Sequence, residues 1–430
     1  MAGAIIGDQI EVRSSPCEEF EMNEAWFDRW LLNAVHRISY PVQIRFDSEA
    51  PSCNRTLQFP RIPIIRVKDR KTLLALWLNP EMNFGDLYSE GRIEIEGDLV
   101  RMLEMVYHIP EQKITRLISK WLGWIQANTL RTSRKNIHHH YDIPADFYGQ
   151  WLDPQMVYTC AYFPDENASL EEAQRAKLDL VCRKLWLKPD ETVVEAGCGW
   201  GALALHMARH YGVRVKAFNI SHEQIEFARA RAGKEGLTSR VEFLEDDYRN
   251  IIGRYDAFVS VGMLEHVGSD YYPDFARVLY GAIGDHGRAL LHFIGKSHPE
   301  PFSAWIRKRI FPGAYAPVLS EVAQALEPYD FCLLDLENLR SHYARTLECW
   351  LHAFERSYET VAERFGTAFA RMWRFYLAGS IAGFRVGSLQ LFQLLFAGKD
   401  CSSIPSTRER LYAASNEENK RDVECIPATY

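Results

Sequence analysis

The sequence predicts an α/β fold: a mostly parallel sheet of seven strands behind a small N-terminal α+β domain. Two observations carry that prediction. From about residue 136 to 396, short apolar runs alternate with helical patterns, the order that parallel strands joined by crossover helices require. One of those runs, Val193-Val194, leads straight into "EAGCGWG" at residues 195–201, and glycines crowded behind a buried strand leave room for a ligand.

Taken in order, residues 24–110 mix alternating strands ("PVQIRF", "RIEIEGD") with helical pieces ("KTLLALWL", "DLVRMLEMVYH"), hence the α+β domain. Residues 111–135 read as one amphipathic helix with a basic tail. Within 136–396 the strands are "TVVEA", "VRVKAFNI", "RVEFLED", "YDAFVSVG", "RALLHFI", "FCLLDL" and "LQLFQLLF". Residues 397–430 are polar and weakly patterned, and read as a mobile tail.

Composition narrows the class. With 47% hydrophobic and 25% charged residues, the 430-residue chain is ordinary globular material. A net charge of −7 argues against a general nucleic-acid binder, so no nucleic acid is expected as a partner. Nine scattered cysteines include no Cys-x-x-Cys pair, which fits free thiols in a reducing cytosol. The start, "MAGAIIGDQIEVRSSP", lacks the form of a secretory signal, and no apolar run nears the roughly 20 residues of a membrane span. The expectation is a cytoplasmic protein.

The glycine loop is ambiguous by itself. Gly197, Gly199 and Ala202 satisfy the loose G-x-G-x-x-[G/A] fingerprint of dinucleotide folds. Such a fold also wants an acidic residue about 20 positions further on, closing the second strand, to hold ribose hydroxyls. Here that strand ends "KAFNIS", without a carboxylate. A cofactor lacking a pyrophosphate fits better, and a tight turn with no ligand is the plainer alternative.

Ten motifs then occur in order: "HYDIPADFY", "YTCAYF", "EAGCGWG", "NISHEQ", "DDYRN", "SVGMLEHVG", "LLHFIG", "IFPG", "HYARTLECW" and "AGFRVGSLQLFQ". Together they resemble the cyclopropane-fatty-acyl-phospholipid synthase family of S-adenosylmethionine-dependent methyltransferases, over about residues 138–396. "YSEGRIEIEGDL" is similar to the extra domain of the longer bacterial members. The resemblance implies a Rossmann-like class I methyltransferase fold and S-adenosylmethionine at the glycine loop.

For the cofactor, the resemblance implies Gly197 and Gly199 beneath its methionine part and Tyr158 with Thr159 closing over it. It implies Gln224 at the ribose, although Ser221-x-x-Gln224 is equally a helix capping box. It puts Tyr248 and Arg249 at the adenine, where a solvated loop is the alternative. Glu195 stands where the family usually has aspartate, Asn219 where it usually has threonine, and Ser380 where many members carry cysteine.

For the chemistry, the resemblance implies a bound bicarbonate ion as base, held by Cys160, Glu265, His292 with the backbone of Ile294, and Tyr343. Singly each has a bland reading: a buried thiol, the start of a solvated helix, a core histidine. The aromatics Tyr141, Phe147, Tyr158, Tyr162 and Phe163 read either as cation-stabilising rings or as core. No metal is expected, because the adjacent His138, His139 and His140 point in different directions.

Residues 113–135 hold six basic residues and no acidic one, with Ile114, Leu117, Ile118, Trp121, Leu122 and Ile125 on one face and Lys113, Arg116 and Lys120 on its flank. That pattern fits a helix lying on an anionic membrane, or a connector between two domains. The expected activity is methyl transfer to the cis double bond of an unsaturated phospholipid at the membrane surface, forming cyclopropane fatty acids. Methyl-branching or methylenating transfer, N-methylation of a small molecule, and a non-catalytic lipid-binding module stand as alternatives. A homodimer is left open.

Overall fold

The structure, a computed structural model, describes residues 43–46, 63–108, 143–405 and 407–412. The basic helix expected at 111–135, the triplet His138–His140 and Tyr141 lie outside the described residues. The chain divides into two compact units, Met1–Ile109 and Pro110–Tyr430.

In the first unit the described elements are β1 (Gln43–Phe46), β2 (Ile64–Val67), α1 (Arg70–Leu78), α2 (Pro80–Ser89), β3 (Ile93–Glu96) and α3 (Leu99–Tyr107). β2 pairs in parallel with β1 and antiparallel with β3. The helices begin where the sequence supplies caps: Asp69 accepts from Thr72 N at 2.8 Å, Asn79 from Met82 N at 3.2 Å, and Asp98 from Arg101 N at 2.9 Å. β1, β3, α1 and α3 occupy the segments the sequence pattern marks. β2 and α2 were not foreseen: "IIRV" is too short to show a period, and α2 starts on a proline and holds a glycine.

The second unit runs α4 (Ala145–Tyr148), α5 (Leu170–Lys184), β4 (Thr192–Ala196), α6 (Ala202–Tyr211), β5 (Arg214–Asn219), α7 (His222–Lys234), β6 (Val241–Glu245), β7 (Ala257–Val261) and α8 (Tyr272–Ile283). It continues β8 (Arg288–Gly295), α9 (Leu319–Leu326), β9 (Cys332–Asn338), α10 (Arg340–Phe365), α11 (Thr367–Val386), β10 (Gln390–Ala397) and α12 (Glu409–Tyr412). All seven expected strands form one sheet in the order β6-β5-β4-β7-β8-β10-β9, with β10 antiparallel to both neighbours.

The strands read as apolar runs because both faces of the sheet are covered. Val193, Val215, Val259 and Leu290 pack with residues of α5, α6 and α7, while Val194, Phe258, Leu291 and Phe293 pack with α8 and α9. α5 opens with a complete capping box between Ser169 and Glu172, and left-handed Gly201 and Gly212 bracket α6.

The segment read as a polar tail from residue 397 is held to the domain as far as residue 412. Ala397 still belongs to β10. Gly398 and Asp400 donate backbone bonds to Gly287 and Asp285, both at 2.9 Å. Further on, Arg408 pairs with Asp335 at 2.7 Å, and Arg183 donates to the Leu411 carbonyl at 2.7 Å. Polar composition does not distinguish a free tail from a strap anchored by hydrogen bonds. Among the described residues no helix is long and apolar enough to cross a membrane.

Candidate active site

The sheet opens a cleft at the carboxyl ends of β4, β5 and β7. From β4 the chain builds outward through β5 to β6, then crosses back to β7, so the connections leave β4 in opposite directions. The cleft lining includes Tyr158, Thr159, Lys177, Glu195, Gly197, Gly199, Asn219, Gln224, Met263 and His266.

The three glycines of the loop do different work. All have positive φ, +85°, +51° and +85° at Gly197, Gly199 and Gly201. A Cβ on Gly197 would sit 2.8 Å from Met263 Cβ, and one on Gly201 would sit 2.8 Å from both Ala228 Cβ and Phe243 Cζ. A Cβ on Gly199 would meet nothing within 4 Å. Gly197 and Gly201 therefore serve close packing, and Gly199 borders the space a ligand can fill.

Asn219, ending β5, donates to the Gly199 carbonyl at 3.3 Å and to Gln224 Oε1 at 2.7 Å. Ser221 caps α7 by accepting from Gln224 N at 3.5 Å, but the Gln224 side chain turns to Asn219 at the cleft. Of its two sequence readings, the polar wall of the cleft describes the side chain and the cap describes only the backbone. Thr159 is fixed from α5: Lys177 Nζ donates to its hydroxyl at 2.9 Å and Gln174 Nε2 to its carbonyl at 2.8 Å. Tyr158 and Tyr376 share a hydroxyl–hydroxyl bond of 2.9 Å.

Tyr248 and Arg249 are not part of the cleft lining. Asp247 accepts from Arg249 N at 3.0 Å, and the tight turn it caps sends Tyr248 into the core against Phe275, with ring centroids 5.5 Å apart. Arg249 pairs with Asp247 at 3.2 Å and lies over the Tyr248 and Tyr271 rings. Both side chains are thus packed against protein groups. Among the aromatics, Phe147 makes five ring contacts and is core, while Tyr158 lines the cleft.

A second group of polar side chains lies just past β7 and on the adjoining β8. Glu265 follows β7 and is buried; its Oε1 accepts from Ile294 N at 2.6 Å, and its Oε2 has no partner among the described residues. Burial pushes this carboxyl up to about 7. His292, also buried, pairs in register with Gln393 of β10, whose amide meets Nδ1 at 3.1 Å; Nε2 has no partner among the described residues. Burial drives His292 well below the usual imidazole range, which keeps it neutral. Ile294 is in register with Leu391, whose carbonyl accepts from Leu339 N at 2.8 Å. The Leu339 carbonyl in turn accepts from Tyr343 N at 3.1 Å and from the buried Cys160 thiol at 3.9 Å. Burial pushes that thiol up strongly, so it is a neutral donor and no nucleophile. Glu265 and Ile294 are thus in direct contact, His292 lies two residues before Ile294 on β8, and Cys160 and Tyr343 meet at the Leu339 carbonyl.

Comparison with known proteins decides the family. The model of mycolic acid cyclopropane synthetases matches residues 128–394. The cyclopropane-fatty-acyl-phospholipid synthase of Escherichia coli is 34% identical over 349 residues, covering 77% of this chain and 87% of the relative. The chain belongs to the cyclopropane synthase family. It is an S-adenosylmethionine-dependent methyltransferase. A probable fatty acid methyltransferase of Pseudomonas putida is 33% identical over 365 residues, covering 82% of this chain and 92% of the relative. A solved cyclopropane synthase from Mycobacterium tuberculosis superposes with a TM-score of 0.59 at 30% identity, covering 61% of this chain and 98% of that one. A related mycolic acid cyclopropane synthase, solved with SAH and CTAB, gives 0.58 at 28% identity over 61% of this chain and 97% of that one.

Within this member of the family, several residues of the two groups carried no sequence expectation. Met263 packs on Gly197, and His266 is half-buried, with desolvation holding its imidazole down to about 4. Gln393 orients His292 from the neighbouring strand, and Lys177 lies buried on α5. Lys177 had a readable signal, since it interrupts the apolar stripe of Ala173, Leu178 and Val181. Among the described residues no group of three or more His, Cys, Asp or Glu is placed to hold a metal.

Proposed function

We propose that this enzyme transfers a methyl group from S-adenosylmethionine to the cis double bond of an unsaturated phospholipid acyl chain, and closes a cyclopropane ring with bicarbonate as base. The observation that carries the reading is the pair of buried atoms without a partner among the described residues, Glu265 Oε2 just past β7 and His292 Nε2 on the adjoining β8. Buried polar atoms are seldom left unpaired, and two on one site imply a small polar guest. Near neutral pH a carboxyl raised to about 7 is partly protonated, and a neutral imidazole whose Nδ1 accepts from Gln393 carries its proton on Nε2. Both groups then donate, which suits a small oxyanion such as bicarbonate.

The open space at Gly199 and the polar wall of Asn219 and Gln224 fit the cofactor, as does the SAH bound to the related synthase. When bound, S-adenosylmethionine supplies an electrophilic methyl group that an alkene attacks without a general base. The work left to this chain is to hold the acyl chain in line, exclude water, and take one proton from the new methyl before the ring closes. Tyr158, backed at 5.3–5.4 Å by the buried rings of Trp151, Trp350 and Tyr148, presents an aromatic ring to the cleft that suits transient positive charge.

The test is proton NMR of lipids from a host expressing the protein. Strongly shielded ring methylene signals are expected. Methyl-branch or vinylidene signals without them would replace cyclopropanation by the alternative acyl methylations.

A further inference from the structure

We infer that Lys177 is the carboxylate-binding residue of the cleft, taking the carboxylate of the cofactor's amino-acid end while Glu195 faces its ammonium group. The inference rests on the cofactor reading above and adds a residue to it.

Lys177 and Lys184 form a natural control. They lie seven residues apart on α5, both 2% exposed. Lys184 has two carboxylates, Asp335 at 3.2 Å and Glu337 at 2.6 Å, as a buried cation should. Lys177 has only the uncharged Thr159 hydroxyl at 2.9 Å, and among the described residues no carboxylate comes within ion-pair distance of its Nζ. An ammonium carries three donors, so two remain unused among the described residues, and Lys177 is part of the cleft lining. Asp153, a nearby acid, spends both oxygens on the backbone of Gln155 and Val157, at 2.9 Å each.

Glu195 is the complement. It ends β4, is 2% exposed, lines the same cleft, and its Oε2 has no partner. Each group feels the other's charge, yet the two do not touch. Burial holds the ammonium down to about 8 and the carboxyl up to about 8, the condition of two groups short of counter-charge. A zwitterionic α-amino acid between them satisfies both at once. The adenosyl part of such a ligand then has Gly199, Asn219 and Gln224 as its neighbours in the same cleft.

The experiment is a calorimetric double-mutant cycle with S-adenosylmethionine and its decarboxylated analogue, on wild type and Lys177→Met. Wild type should prefer the carboxylated ligand by roughly 10- to 100-fold, the scale of a charged hydrogen bond. Lys177→Met should erase that preference by weakening S-adenosylmethionine alone. Equal discrimination in wild type and variant, or equal loss for both ligands, would overturn the inference and leave Lys177 as a support for Thr159. Wild type alone is decisive if the variant does not fold: equal affinity for the two ligands sinks the inference. Failure of wild type to bind either ligand would instead overturn the cofactor reading, and this inference with it.

Discussion

Glu265 is a carboxyl group folded away from water with one oxygen satisfied and one not. Its folded value of about 7 lies above the ordinary 4.5, so between those two pH values the folded protein keeps a proton that the unfolded chain releases. Stability therefore falls as pH rises through that window and stays lowered above it. The full penalty is on the order of 3 kcal/mol from this group. Glu265→Gln keeps an oxygen for Ile294 N–H and removes the titration. Denaturant midpoints at pH 5 and pH 8 should show the variant gaining stability relative to wild type at the higher pH. Parallel pH profiles for the two proteins would mean that Glu265 titrates normally.

At the scale of the element, the loop between β4 and α6 separates folding from binding. Gly201→Ala puts a methyl 2.8 Å from Ala228 and Phe243 at a φ of +85°. Overpacking and the left-handed backbone together should cost about 3 kcal/mol, seen as a lowered melting temperature. Gly199→Asn faces open space, and asparagine tolerates the left-handed region. It should melt close to wild type yet lose S-adenosylmethionine affinity in calorimetry; unchanged affinity would move the ligand elsewhere. The strands of this sheet are legible in the sequence because burial on both faces writes them as apolar runs. The insertion of β10 antiparallel between β8 and β9 has no local signature, being set by the hairpin of α10 and α11 that precedes it. The placement of the candidate site residues was legible near the carboxyl ends of strands: Glu195 next to last in β4, Glu265 just past β7, and His292 level with the last residue of β7. Gln393 was not, because its role comes from the cross-strand register with His292. Nor was the inward turn of Tyr248, which depends on a cap formed by Asp247.

For the whole molecule, a net charge of −7 opposes contact with an anionic bilayer unless a local patch offsets it. At about 0.1 M salt, charges more than roughly 10 Å from the surface are screened, so local charge decides. Residues 113–135 concentrate six basic residues without an acidic one. We propose that this segment docks the enzyme peripherally on the inner membrane surface, where its acyl substrate lies. Each lysine or arginine near such a surface contributes about 1 kcal/mol, so replacing Lys113, Arg116 and Lys120 with glutamine should weaken vesicle binding roughly 10²-fold. Co-sedimentation of wild type should rise with the anionic lipid fraction and fall with salt. Cofactor affinity should stay unchanged in the variant, because the described cleft is lined from residue 156 onward. Vesicle binding that ignores both salt and the triple substitution would make the segment a connector between the two units, and membrane contact would have to come from another part of the surface.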